Sequence, residues 1–276
     1  MLNKRRIISI LIPVTSRKMN YKKVDDIELF RIFIPSFLQS LSSADIEKFE
    51  YRFYIGYDNG DGFYDNEENI NQIKSKFRQM VNLENVKIKD IKKCFGAEHK
   101  PVLVWNILAE TAYHEQSDYF YQLGDDIMLI SKRWSENFVG TLEKNNGLGV
   151  TGPLEVHNQK IITQSFVSRV HIDIFGYYFQ SEIKNWYSDD WINQIYMPRY
   201  RFWQKKILVE NMSVGSSDER YNVVKISKSQ LKKYVKNGRE KIKCWVRNSG
   251  DKNYPTSLKE SLKDFFHSFF RNLFIL

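Results

Sequence analysis

A chain of 276 residues, 42% hydrophobic and 15% aromatic, is long enough to bury a sizeable core and too apolar to be a disordered linker. Its formal charge of +9 favours contact with phosphates, acidic glycans, anionic lipid or nucleic acid without choosing among them. Its only cysteines, Cys94 and Cys244, stand in no metal-ligand or redox spacing, which excludes a zinc-cluster or dithiol motif and points to the reducing environment of the cytoplasm.

Lys4-Arg5-Arg6 ahead of the apolar run 7–14 imitates a signal peptide, but the run is short and no convincing small-residue cleavage site follows it. Its β-branched residues, bounded by Pro13 and Thr15-Ser16, instead predict a first strand buried on both faces. Ile27, Phe30, Ile34, Phe37, Leu38 and Leu41 recur at helical spacing, with Pro35 predicted to kink that element or divide it. Residues 51–57 read as a second strand, which ends in the loop Asp58-Asn59-Gly60-Asp61-Gly62. A Ca²⁺ site there would need the full EF-hand loop and its terminal Glu, which this run lacks. Ile70, Ile73, Phe77 and Met80 mark a second helix, residues 86–91 a third strand, and Val102, Trp105, Leu108, Ala109 and Ala112 a third helix, before a fourth strand over 118–123. Strands alternating with helices of this length predict βαβ units and a parallel sheet. No stretch is long and apolar enough to span a bilayer.

The fourth strand ends in Gly124-Asp125-Asp126. In an open α/β sheet, ligands bind beyond the carboxyl ends of the strands. Two adjacent acids there are hard oxygen ligands suited to Mg²⁺ or Mn²⁺, ions that usually arrive with substrate phosphates, so the pair points to a nucleotide-diphosphate substrate. The competing reading is a turn and helix cap. Further on, residues 147–153 and 161–167 read as strands, and Asn185-Trp186-Tyr187-Ser188-Asp189-Asp190-Trp191-Ile192 sets a second acid pair among aromatics at the start of a helix. Ser188-Asp189-Asp190 is also a good N-cap, favoured by the positive end of the helix dipole. His171 reads as a structural histidine, since no His-x-x-x-His spacing accompanies it.

Three segments, Ile8-Ser9-Ile10-Leu11-Ile12-Pro13-Val14, Tyr54-Ile55-Gly56-Tyr57-Asp58 and Asp118-Tyr119-Phe120-Tyr121-Gln122-Leu123-Gly124-Asp125-Asp126, together resemble glycosyltransferases of the GT-A fold. The resemblance implies an α/β fold with a mostly parallel, Rossmann-like sheet flanked by helices. It further implies a metal-dependent enzyme, of hexosyltransferase type, that moves a sugar from a nucleotide-diphospho sugar to an acceptor hydroxyl with inversion. Asp126 would then hold Mn²⁺ or Mg²⁺ as the last Asp of the family's DxD-type motif, and Asp125 would face the ribose or the cation's water shell. Gly124 departs from the motif, since many members have an acid there. Asp58 would meet the nucleobase or ribose, the backbone at Pro13, Thr15 and Ser16 the base, and Lys100 the diphosphate. The second acid pair stands where the family has its catalytic base, with Asp190 the better match and Asp189 beside it. Trp186 and Trp191 would form an apolar platform for a sugar ring, against the plainer reading of both as core. Many members close the donor site with a late His, and here none follows the acid pair before His267. Asn211 or a backbone group takes that place, or the metal keeps more water, with Gly215-Ser216 as a lid over the diphosphate or a plain surface loop.

The resemblance predicts a catalytic domain over residues 1–223, with a nucleotide-sugar-binding half over 1–126 and an acceptor-binding half over 127–223. From 224 to 276 the composition turns basic, through Lys225, Lys228, Lys232, Lys233, Lys236, Arg239, Lys241, Lys243 and Arg247, and predicts a helical extension. The end of that extension either packs on the domain, which the helical spacing of Phe265, Phe266, Phe269, Phe270 and Leu273 favours, or lies on an anionic membrane surface. Two other function classes compete. Gly-Asp-Asp is also a polymerase signature, but there it belongs to a hairpin in much larger chains. The second is a basic nucleic-acid- or membrane-surface-binding protein whose acid pairs are structural caps. Nucleic acid is not an expected partner of the leading reading, and glycan, protein and lipid acceptors all stay open.

Overall fold

The computed structural model of the chain describes residues 4–213 and 224–249. In β1 (Arg6–Val14) every residue after Arg6 is buried, which is why the strand is almost continuously aliphatic. It lies between β2 (Phe49–Asp58) and β4 (Tyr119–Gln122), with β3 (Val86–Cys94) outside β2, and these four strands run parallel. Beyond β4 the sheet continues through β7 (Phe166–Ser168), β6 (Val150–Glu155), β8 (Arg201–Asn211) and β5 (Ile127–Leu129), giving the order β3-β2-β1-β4-β7-β6-β8-β5. β7 is antiparallel to both β4 and β6, β8 is parallel to β6, and β5 is antiparallel to β8.

Alternate residues of β1 feed two cores. Ile8, Ile10, Ile12 and Val14 pack with α1 (Ile34–Ser40), α3 (Glu67–Met80) and α5 (Trp134–Glu143) through Phe37, Phe77 and Trp134. On the opposite face Leu11 joins α4 (Pro101–His114), α6 (Arg169–Phe175), α7 (Ser188–Tyr196) and α8 (Lys228–Ser249) through Leu108, Phe175, Trp191 and Val235. The first core is an aromatic lattice in which Phe37 stands edge-on to Phe53 at 5.1 Å and Tyr121 lies 5.0 Å from Trp134. Burying one such ring stabilises the fold by about 1.5–3 kcal/mol. A short α2 (Ser43–Lys48), closed by a capping box between Ser42 and Asp45, leads into β2.

Pro35 divides its helical segment. The turn ahead of it, Leu29–Phe33, is π-helical and runs into α1, which carries the proline in its first turn. The wider turn takes the ring without the clash it would make in a continuous α-helix. The predicted strand over 161–167 shortens to β7, because side chains claim the backbone before it: Asn193 bonds both N and O of Ile162, and Gln122 Oε1 accepts from Ser165 N. Asn211 is the last residue of β8. Gly215, Ser216 and the aromatic terminus 265–276 lie outside the described residues. The basic segment does form a helix, α8, with Leu231, Val235, Ile242 and Val246 buried. Among the described residues no helix is long and apolar enough to cross a membrane.

Gly56 pairs with Pro13 across β1 and β2, and a Cβ there would stand 2.5 Å from Val104 Cγ1 and 3.1 Å from Leu108 Cδ2. Gly56→Ala is expected to push α4 off the sheet and lower the unfolding free energy in urea by about 1–3 kcal/mol. Gly62→Ala, where a Cβ meets nothing within 4 Å, serves as the control and should leave that overpacking penalty out.

Candidate active site

The chain leaves β1 towards β2 and β3 and returns through α4 to β4 on the other side, so the strand order reverses between β1 and β4. In α/β sheets the crevice outside the carboxyl ends at such a reversal is the place where ligands bind. Pairing of β1 with β4 stops at Leu11 and Gln122, while β1 itself continues to Val14. Trp105 Nε1 closes the floor of the gap, donating to Leu11 O at 3.3 Å and Leu123 O at 3.2 Å. Pro13, which has no N–H to donate, sits where β1 has lost that neighbour.

On the β1–β2 side, Thr15 Oγ1 and Ser16 N donate to the Asp61 carboxylate at 2.9 and 2.7 Å, and Ser16 Oγ donates to it as well. Asp61 also accepts from Phe63 N and Tyr64 N and is fully buried. It is a clasp between two loops, and it takes up the hydroxyls of Thr15 and Ser16. Asp58, equally buried, pairs with Arg17 and accepts from His99 N at 2.7 Å. Its carboxylate therefore fixes Arg17 and the backbone before α4. Lys100 follows His99 at the same edge, half-buried, with Nζ donating to Gly96 O at 3.2 Å.

Across the crevice, Asp125 and Asp126 are both buried. Gly124, the departure from the expected acid, has a steric reason: a Cβ at this position would collide with Asp126 Oδ1. The Asp126 carboxylate occupies the space a side chain at 124 would need. Because β7 is antiparallel to both β4 and β6, and β8 parallel to β6, the carboxyl ends of β6 and β8 reach this same edge. Asn211 thus pairs with Ile127, directly after Asp126, while Met212 N donates to Asp126 O at 3.0 Å. Glu155, 3% exposed, accepts from Asn211 N at 3.1 Å, and Asn211 Oδ1 accepts from Ser213 N at 2.9 Å.

The second acid pair opens α7. Its N-cap is Tyr187, held in the left-handed region at φ 76°, and no side chain caps the helix. The Asp190 carboxylate bonds its own backbone N–H in the first turn, and neither Asp189 nor Asp190 bonds another described residue through its carboxylate. Asn193 anchors the helix by bonding Ile162 and by donating to Asp189 O at 2.8 Å. Tyr178, raised chiefly by burial and in smaller part by the Asp189 charge, has its hydroxyl 3.1 Å from Ser165 Oγ, which donates to Gln122 Oε1 at the end of β4. Burial, and then the Asp190 charge, push the Asp189 carboxyl up to about 8. Burial also raises Asp190.

The two tryptophans part company. Trp191 is fully buried among Phe175, Tyr177 and His171, with Nε1 donating to Tyr234 O at 3.3 Å. It is a core residue, and the platform role expected of it is corrected. Trp186 is exposed, with Lys225 Nζ 3.8 Å from its ring centroid. His171 is structural as read: it bridges the Tyr196 hydroxyl and Tyr178 O, and burial pulls it down to about 4. Arg17, Asp61 and Glu155 are additions of the structure. Glu155 and Asn211 lie 56 residues apart, and no local spacing links them.

No family model and no curated protein sequence matches the chain. Among solved structures it is similar to residues 1–349 of S. aureus TarS in complex with UDP-GlcNAc, at 11% identity over 86% of this chain and 66% of that one, with a TM-score of 0.51. Two other TarS structures align at 10% and 11% identity, covering 92% and 93% of this chain and 46% and 77% of theirs, each with a TM-score of 0.49. The chain therefore spans about half the length of the longer TarS structure. At this identity the likeness concerns the fold, which is α/β of the GT-A type found in glycosyltransferases.

A carboxyl held protonated by the fold keeps a proton that the unfolded chain releases near its ordinary value of 3.8. The stability Asp189 contributes is therefore complete below that value and is lost as pH rises through about 8. Asp189→Asn is expected to melt higher than the unmodified protein at about pH 9, with the advantage shrinking towards about pH 4. Equal shifts at both ends of a calorimetric pH series would contradict this environment for Asp189.

Proposed function

We propose that the protein transfers a sugar from a nucleotide-diphospho sugar to an acceptor hydroxyl. The observation that carries this reading is the crevice at the carboxyl ends of β1 and β4, with the buried Asp125–Asp126 turn on one side and the Thr15–Arg17 loop on the other; the Asp189–Asp190 pair at the start of α7 is assigned the catalytic part. The GT-A-type fold supports it.

In this reading the donor nucleotide lies over the ends of β1 and β2, against the backbone of Pro13, Thr15 and Ser16 and beside Arg17 and Lys100. Asp126, with Asn211 next to it, would hold a divalent cation, Mn²⁺ or Mg²⁺. The fit is chemical: the groups are hard oxygen donors, and such ions commonly rest on one or two carboxylates with substrate phosphates completing the shell. Among the described residues no cluster of three or more His, Cys, Asp or Glu side chains could hold a metal unaided, so the diphosphate would have to supply the rest. When bound, the ion would offset the charge that builds on the departing diphosphate.

Burial and the Asp190 charge push the Asp189 carboxyl up to about 8, which leaves Asp190 as the member of the pair assigned the part of the base. Asp190 takes the proton of the acceptor hydroxyl as that oxygen bonds to the anomeric carbon, while the carbon–oxygen bond to the nucleoside diphosphate breaks and its electron pair leaves with the phosphate. No protein nucleophile intervenes, so a single displacement inverts the anomeric centre. Trp186 is the accessible ring beside the pair and the remaining candidate for an acceptor sugar.

Three variants test the reading. In calorimetric titrations with nucleoside diphosphates, Asp126→Ala should abolish the binding that depends on Mn²⁺ while leaving the melting profile intact. Gly124→Ala should displace the Asp126 carboxylate and reduce turnover by roughly 10²-fold, because the added Cβ claims its space. Asp190→Asn should reduce transfer by roughly 10²-fold or more with donor affinity nearly unchanged. Transfer that survives Asp190→Asn but fails in Asp189→Asn would exchange the two roles, and metal-independent donor binding in Asp126→Ala at full strength would remove the proposal.

A further inference from the structure

We propose that the outer face of α8 is a docking surface for an anionic lipid bilayer, independently of the chemistry assigned to the acid edge. The apolar face of this helix is already occupied by the protein. Leu231, Val235, Ile242 and Val246 are buried, and Gly238 lets the helix close on α7, since a Cβ there would stand 2.6 Å from Ile195 Cγ2. Trp191 Nε1 donates to Tyr234 O, and Arg239 Nε donates to Gln194 O at 3.0 Å. Outward there remain Lys232, Lys233, Lys236, Lys241 and Arg247, and Glu240 is the only acid in the helix. Lys243 engages Glu240 at 2.7 Å, so that among the described residues Lys232, Lys233, Lys236 and Arg247 face no carboxylate.

A row of lysines is often only a solvated helix face. Here a second feature selects the partner. The chain runs on from 250 to 276 and ends Phe265-Phe266-His267-Ser268-Phe269-Phe270-Arg271-Asn272-Leu273-Phe274-Ile275-Leu276, with six apolar aromatic or aliphatic side chains after His267 and no acid. Lasting membrane attachment takes two signals, an apolar one and a polybasic patch, because either alone binds marginally. A cationic helix and, beyond a segment that carries Asp251, Glu260 and Asp264, an apolar stretch over 265–276 without acids have the composition of that pair. Since α8 lies against α7, whose first turn carries Asp189 and Asp190, docking by this face would hold the acid edge in a fixed orientation to the bilayer.

The test is sedimentation of the full chain with phosphatidylcholine vesicles, with and without phosphatidylserine. Each lysine near an anionic surface contributes on the order of fivefold to partitioning, so Lys232→Gln/Lys233→Gln/Lys236→Gln should weaken binding to the anionic vesicles by about 100-fold. The charge-preserving triple change to Arg should keep it, and both variants should melt as the parent does. Lys74→Gln/Arg78→Gln/Lys132→Gln removes the same charge elsewhere and should cost far less. Equal loss in that control, equal binding to neutral vesicles, or binding to soluble heparin with none to vesicles would each overturn the proposal.

Discussion

The structure depends on β1 being buried on both faces. A strand with no solvent face needs helices on each side, and its alternate side chains must fill two separate cores, with Ile8, Ile10, Ile12 and Val14 in one and Leu11 in the other. Helices on both faces require crossover connections, and these keep β1, β2, β3 and β4 parallel. Parallel strands deliver all their carboxyl ends to one edge. The reversal of order between β1 and β4 then opens a crevice at that edge, and the short pairing of β4 with β1 widens it.

The second half of the sheet extends the edge by a different route. β7 runs against both of its neighbours, which restores the original direction in β6 and β8. Glu155 and Asn211 arrive at the edge for that reason, although neither follows a βαβ unit of the first kind. Packing refines the result. Gly124 leaves room for the Asp126 carboxylate, Asn193 ties α7 to the segment before β7, and Asp61 joins the loops after β1 and β2.

Charge is divided in the same manner. The chain carries +9 overall, yet buried carboxylates line both sides of the crevice, Asp125 and Asp126 on one and Asp58 and Asp61 on the other, where Arg17 pairs with Asp58. Burial, and then the charge of Asp190, raise the proton affinity of Asp189. The excess positive charge collects instead on α8, whose apolar stripe is held by α6 and α7.

Much of this was legible in local pattern. The alternation of β-branched runs with helical periodicity identified the parallel strands, their order along the chain and the two acid turns, because those signals lie within a few residues of one another. Composition likewise marked the basic helix. What local pattern left undecided was set by contacts between distant segments. Trp191 and Trp186 have the same local setting, and only the packing of α7 on α8 buries one and leaves the other exposed. Folding brings the Asp58 carboxylate to Arg17 and the Ser16 hydroxyl to Asp61, and Gly124 reads as a lapse in a motif until the Asp126 side chain occupies its space. The sequence by itself determined which segments become strands and helices and which of them carry acids, since periodicity and turn chemistry are properties of neighbours. The tertiary structure alone decided which partners each carboxylate meets, since these lie up to 111 residues away and no spacing along the chain announces them.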